Sequence, residues 1–78
     1  MNNYDMTIKD KFGLHVRLLR QNKNLSQEEL GFLSGLSKNY ISDVERGTRN
    51  ISLEAIEKLA IGLELEVKEL FNWKEEDF

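Results

Sequence analysis

The chain has no cysteine, no proline, five glycines and a single histidine. Without cysteine there is neither a disulfide framework nor a cysteine-based zinc site, so the fold has to rest on packing alone, as in a reducing cytoplasm. Missing proline and sparse glycine suit helices joined by short turns and argue against an all-β sandwich. No apolar run is long enough to span a bilayer. Met1, Asn2, Asn3, Tyr4 and Asp5 lack the basic-then-apolar layout of a secretion signal. The expectation is a soluble cytoplasmic protein with no membrane partner. His15 has no nucleophile or carboxylate at catalytic spacing, which makes an enzyme the weakest reading. The acidic Glu75, Glu76 and Asp77 read as a solvated, frayed tail rather than a metal site. A chain of 78 residues closes one hydrophobic core and leaves no room for a ligand-sensing domain. No cofactor, metal or small-molecule ligand is therefore expected.

The net charge of −3 is unevenly spread. Residues 1–50 carry eight Lys/Arg against six Asp/Glu, whereas residues 51–78 carry three against eight. A basic front and an acidic back would turn the front toward phosphate. Charges that merely decorate solvated faces would give the same count.

Three segments share a start signal: Leu25-Ser26 followed by Leu30, Leu36-Ser37 followed by Ile41, and Ile51-Ser52 followed by Ile56. Each fits a serine N-cap with a hydrophobic staple, and the first adds Glu29 at the capping-box position. Ile8, Phe12, Val16 and Leu19 recur at helical spacing and predict a first helix over about residues 7–23, closed by Asn24. Leu65, Val67, Leu70 and Phe71 predict a short fifth helix behind Glu66, a poorer cap than serine. The predicted fold is all-α: a single five-helix domain, with its core over about residues 7–71.

Helices two and three are separated only by Gly35-Leu36, giving a helix, a tight turn and a helix over about residues 26–46. Gly31 falls where the second helix must pass near the third, and Gly35 supplies the turn. Ile41 and Val44 pin the third helix inward. With these offsets the run Leu25-Ser26-Gln27-Glu28-Glu29-Leu30, and then Tyr40-Ile41-Ser42-Asp43-Val44-Glu45-Arg46-Gly47, resembles the phage-repressor and Cro helix-turn-helix family, also called the xenobiotic-response-element family. The resemblance covers roughly residues 9–71. Asn39-Tyr40-Ile41-Ser42 and Glu45-Arg46-Gly47-Thr48-Arg49-Asn50 look most like the controller proteins of restriction-modification systems. It implies a dimeric autoregulator that binds double-stranded DNA. Gly31, where the family usually has alanine, and the acidic Asp43 depart from the pattern.

At about 100° per residue, with Ile41 at zero, the buried side of the third helix centres near about 330° and the opposite side near about 150°. Asn39, Arg46, Ser42 and Asp43 surround that opposite side, and Lys38 lies at its edge. Asn39 can bond adenine at two points, Lys38 can donate to guanine, and Arg49 in the following loop can take guanine or a phosphate. Asp43 fits only if it accepts from a cytosine amine. Gln27, Ser37, Tyr40, Thr48 and Asn50 flank this face as phosphate donors, roles the resemblance also implies. Gln27 and Thr48 also fit as ordinary surface residues, and Arg46 as a charge complementing the helix dipole. Glu45, on the flank of the core side, faces Arg20 of helix one, an internal ion pair that the resemblance implies too.

Leu53, Ile56, Ala60 and Leu63 share one side of the fourth helix, leaving Ile61 outward. Ile61, Leu65, Val67, Phe71 and Trp73 then form an apolar surplus, predicting a homodimer on an inverted-repeat operator. Part of that surplus could instead cover Leu14 and Leu18 on helix one. Two other functions fit the same fold: an antitoxin whose main task is to bind a partner protein, with operator binding secondary, and a phage-type repressor lacking its partner domain.

Overall fold

The computed structural model describes residues 5–78; Met1, Asn2, Asn3 and Tyr4, read above for a secretion signal, lie outside them. The described chain is all-helical, with no strand. Its order is α1 (Ile8–Asn22), α2 (Gln27–Ser34), α3 (Lys38–Arg46) and α4 (Leu53–Leu63), then 3₁₀ turns at Val67–Phe71 and Glu75–Asp77.

Local chemistry sets each start. Ser26, Ser37 and Ser52 accept from the backbone N–H of Glu29, Tyr40 and Ala55 at 3.0, 3.0 and 3.1 Å. Each bond satisfies an amide that the first turn leaves without a helical partner. Glu29 returns the bond by accepting from Ser26 N–H at 2.8 Å. Thr7 and Asp10 make the same reciprocal box at the head of α1, which starts where the apolar spacing predicts although that spacing does not reveal the cap. Asn24 stops α1 in the left-handed region at φ 57°, and Gly35 ends α2 at φ 71°. A Cβ at Gly31 would stand 2.6 Å from the Leu36 carbonyl oxygen, which is how closely the turn folds back on α2.

Leu30, Ile41, Leu59, Leu63, Leu70 and Val16 are fully buried where α1 packs on α3 and α2 packs on both α3 and α4. Burying each such side chain contributes about 1.5–3 kcal/mol.

Three expectations are corrected. The segment after α4 is not a fifth α-helix but a 3₁₀ turn of five residues. Only Leu70 is buried there, and the side-chain bond at the head of the turn is Glu69 accepting from the Glu66 N–H at 2.9 Å rather than a cap from Glu66. Leu53 does not dock with Ile56, Ala60 and Leu63 but is 82% exposed. Ala55 and Leu59 are buried instead, shifting the centre of the packed face away from Leu53. The tail, finally, carries contacts: Lys11 pairs with Glu75 at 2.5 Å, and Trp73 Nε1 donates to Glu75 at 3.2 Å. His15 Nε2 lies 2.9 Å from the Glu69 carbonyl oxygen, and its ring meets Trp73 at 5.8 Å.

Candidate nucleic-acid interface

α3 is the element with a face left over. Ile41 and Val44 are buried, so the opposite side is presented outward, with Lys38, Asn39 and Arg46 exposed and Ser42 and Asp43 half-buried. Arg49 follows in the connection to α4, exposed beside Thr48 and Asn50. Ser37 spends its lone pair on the cap, leaving its O–H proton as a donor at the same end of the helix.

Several of these side chains are already engaged. Asp43 pairs with Arg46 through one carboxylate oxygen and with Arg49 through the other, the second at 3.1 Å. The Arg49 guanidinium also lies over the Tyr40 ring, 4.3 Å from its centroid. Thr48 donates its hydroxyl to the Asp43 carbonyl at 3.2 Å, and its N–H to the same oxygen at 3.1 Å. The spacing of Asp43 and Arg46, three apart on one helix, was a readable signal for the first of these pairs. The links of Arg49 run through an irregular loop and left no periodic trace.

Gln27 is half-buried rather than held out to solvent, and its Nε2 donates to Glu45 Oε1 at 3.0 Å. That carboxylate belongs to the buried pair with Arg20, whose Nε reaches Glu45 Oε2 at 2.7 Å and whose NH2 reaches Oε1 at 3.0 Å. Arg20 NH1 donates to the Leu25 carbonyl at 2.8 Å. The Glu45 bond raises the Arg20 pKa above its ordinary value, against the opposing effect of burial. Gln27 thus ties the head of α2 to the α1–α3 ion pair.

The apolar set assigned to self-association divides. Ile61 is 66% exposed and Val67 and Phe71 are partly exposed. Leu65 and Trp73 pack against the molecule's own core, and Phe71 meets Phe12 at 5.0 Å between ring centroids. Among the described residues no group of three or more His, Asp or Glu is placed to hold a metal, and no helix is long and apolar enough to cross a membrane.

A family model described as helix-turn-helix matches residues 16–70. The control protein C.BamHI of Bacillus amyloliquefaciens is 49% identical over 63 residues, covering 80% of this chain and 78% of that protein. The control protein C.MunI of a Mycoplasma species is 41% identical over 66 residues, covering 83% of this chain and 89% of that one. Among solved structures, the restriction-modification controller protein C.AhdI of Aeromonas hydrophila superposes with a TM-score of 0.80 at 56% identity, over 81% of this chain and 96% of that one. The chain belongs to the helix-turn-helix family of the Cro and phage-repressor type, and within it is similar to the control proteins of restriction-modification systems.

Proposed function

We propose that the chain is a sequence-specific DNA-binding transcriptional regulator, a cytoplasmic homodimer that controls a restriction-modification operon and its own gene. It acts as one helix-turn-helix domain and reads an inverted-repeat operator with α3. The observation that carries this is the outward face of α3: its opposite side is locked in the core by Ile41 and Val44, so Lys38, Asn39 and Arg46 are presented at the surface with Ser42 half-buried among them. Arg49 extends the base-reading set. Ser37, Tyr40, Asn50 and the head of α2 at Gln27 grip phosphate on either side, while Thr48, whose hydroxyl and N–H both go to the Asp43 carbonyl, serves there only once that hydroxyl turns to the phosphate. The likeness to named control proteins supports the regulatory role.

The test is selection of duplexes from a randomised pool, followed by binding to the DNA immediately upstream of the chain's own reading frame. Wild type is expected to recover one inverted repeat and to find it upstream. Asn39→Ala is expected to lose about 1–3 kcal/mol of discrimination at one base pair of each half-site. An Asn39→Ala protein with unchanged affinity and unchanged preferred sequence would remove α3 from the reading.

A further inference from the structure

Asp43 is a misplaced charge for a surface that binds phosphate. It sits in the carboxyl-terminal half of α3, where the helix dipole disfavours an anion, on the very face proposed to meet a polyanion. What compensates it is on the same face: one carboxylate shared by two guanidiniums, Arg46 at one oxygen and Arg49 at the other. Asp43 is the most sheltered of the three, its side chain 27% exposed. Thr48 closes the loop onto the Asp43 carbonyl, and the Tyr40 ring holds Arg49 from below. Arg49 is therefore held from two sides while its side chain stays 42% exposed.

We propose that Asp43 is a positioning and specificity-determining residue of the DNA face, holding Arg46 and Arg49 in place before DNA arrives and cancelling one of their two charges. The inference rests on the DNA-binding reading above and reassigns Asp43 from base contact to positioning. Its physical content is a filter. Binding to any duplex is driven by cations that replace counterions on phosphate, so a trio of net charge +1 gains less from an arbitrary backbone than two unopposed arginines would. A guanine edge offers two acceptors in a fixed geometry that a pre-oriented guanidinium meets at little ordering cost. Asp43 thus weakens the unselective contact while keeping the selective one.

Asp43→Asn keeps the size and removes the charge, and Asp43→Glu keeps the charge. Binding of each full-length variant to the duplex recovered by selection, and to an unrelated duplex of equal length, is measured over a range of salt. Asp43→Asn is expected to bind the unrelated duplex several-fold more tightly, with a log–log salt slope steeper by about one per protomer. Its ratio of selected to unrelated affinity is expected to fall by about tenfold, within the span of one bidentate base contact. Asp43→Glu is expected to restore the wild-type slope. A surface pair away from the bound DNA would change none of these, and a charge on the face without a positioning role would change the slope but leave Asp43→Glu as selective as wild type whatever its geometry. An unchanged slope and ratio in Asp43→Asn would overturn the inference. Loss of affinity for the selected duplex alone, with the unrelated duplex and slope unaffected, would make Asp43 a direct cytosine reader and overturn it as well. If wild type showed no preference for any duplex, the DNA-binding reading itself would fall; that outcome is visible before any variant is made.

Discussion

The side chain that ties stability to the proposed DNA face is Glu45. It receives two bonds from Arg20 and one from Gln27, so a residue of α3 fixes both α1 and the head of α2. Both members of the ion pair are buried, and breaking such a pair by deleting one partner leaves a desolvated charge, at a cost of about 3–5 kcal/mol. Arg20→Ala is therefore expected to lower stability by that amount, a large share of the roughly 5–15 kcal/mol typical of a whole domain. Replacing both charges at once, Arg20→Met with Glu45→Met, is expected to cost less than the single change, because no unpaired ion remains. Denaturant unfolding of the three proteins decides the matter; a single variant as stable as wild type would show that the pair does not hold α1 to α3.

At the scale of elements, capping explains most of what was legible. Ser26, Ser37 and Ser52 each mark their helix because a short hydroxyl side chain bonds the amide three residues on, a rule that needs no tertiary knowledge. Leu53 and the segment after α4 were misread for the opposite reason. Which side of α4 is buried depends on how it crosses α2, and whether five residues make an α-helix or a 3₁₀ turn depends on what lies beneath them. The α3 face was readable from its period, but not the sharing of Asp43 by two arginines or the turn of Gln27 toward Glu45. Those depend on loop geometry and on a neighbouring helix.

Two outcomes belong to the α2–turn–α3 unit. Accepting from the Ser26 N–H holds the Glu29 carboxyl below its ordinary pKa. A depressed carboxyl contributes stability above its unfolded value, about pH 4.3, and loses it as the pH falls through the folded value. Glutamine keeps the capping bond without the charge. The thermal midpoint of wild type is thus expected to exceed that of Glu29→Gln near neutrality and to converge with it in acid; a gap that persists unchanged would place the advantage elsewhere. Gly31→Ala tests the turn. Alanine favours a helix by about 1 kcal/mol, but here its Cβ meets the Leu36 carbonyl, part of the backbone, at 2.6 Å. The expected result is net destabilisation by about 1–3 kcal/mol, as for other overpacked sites. A more stable Gly31→Ala protein would show that the turn relaxes without strain.

For the whole molecule the proposed function requires that two α3 helices face one operator. An inverted repeat read by equivalent helices requires a two-fold axis that sets them about 34 Å apart, and a two-fold interface uses the same patch from both protomers. The acidic half of the chain suits this arrangement, because a surface kept off phosphate is one left available for a second copy. Within it, Ile61 stands on the side of α4 opposite the core, with Val67 and Phe71 partly exposed in the turn that follows, while Leu65 and Trp73 serve the fold itself. A different apolar site lies on α2, where Phe32 is 86% exposed next to Leu33. The proposed interface separates the two. Ile61→Glu would bury an unpaired carboxylate at the axis and is expected to yield monomers that keep the helical content of wild type. Phe32→Glu is expected to remain dimeric. Sedimentation at micromolar concentration reads both directly, and the salt slope of operator binding should fall toward half in the monomeric variant, because each protomer then brings its phosphate contacts alone. Dimers that survive Ile61→Glu but dissociate with Phe32→Glu would move the axis to α2, whereas a wild type that is monomeric and binds a half-site as well as the full repeat would remove the dimer altogether.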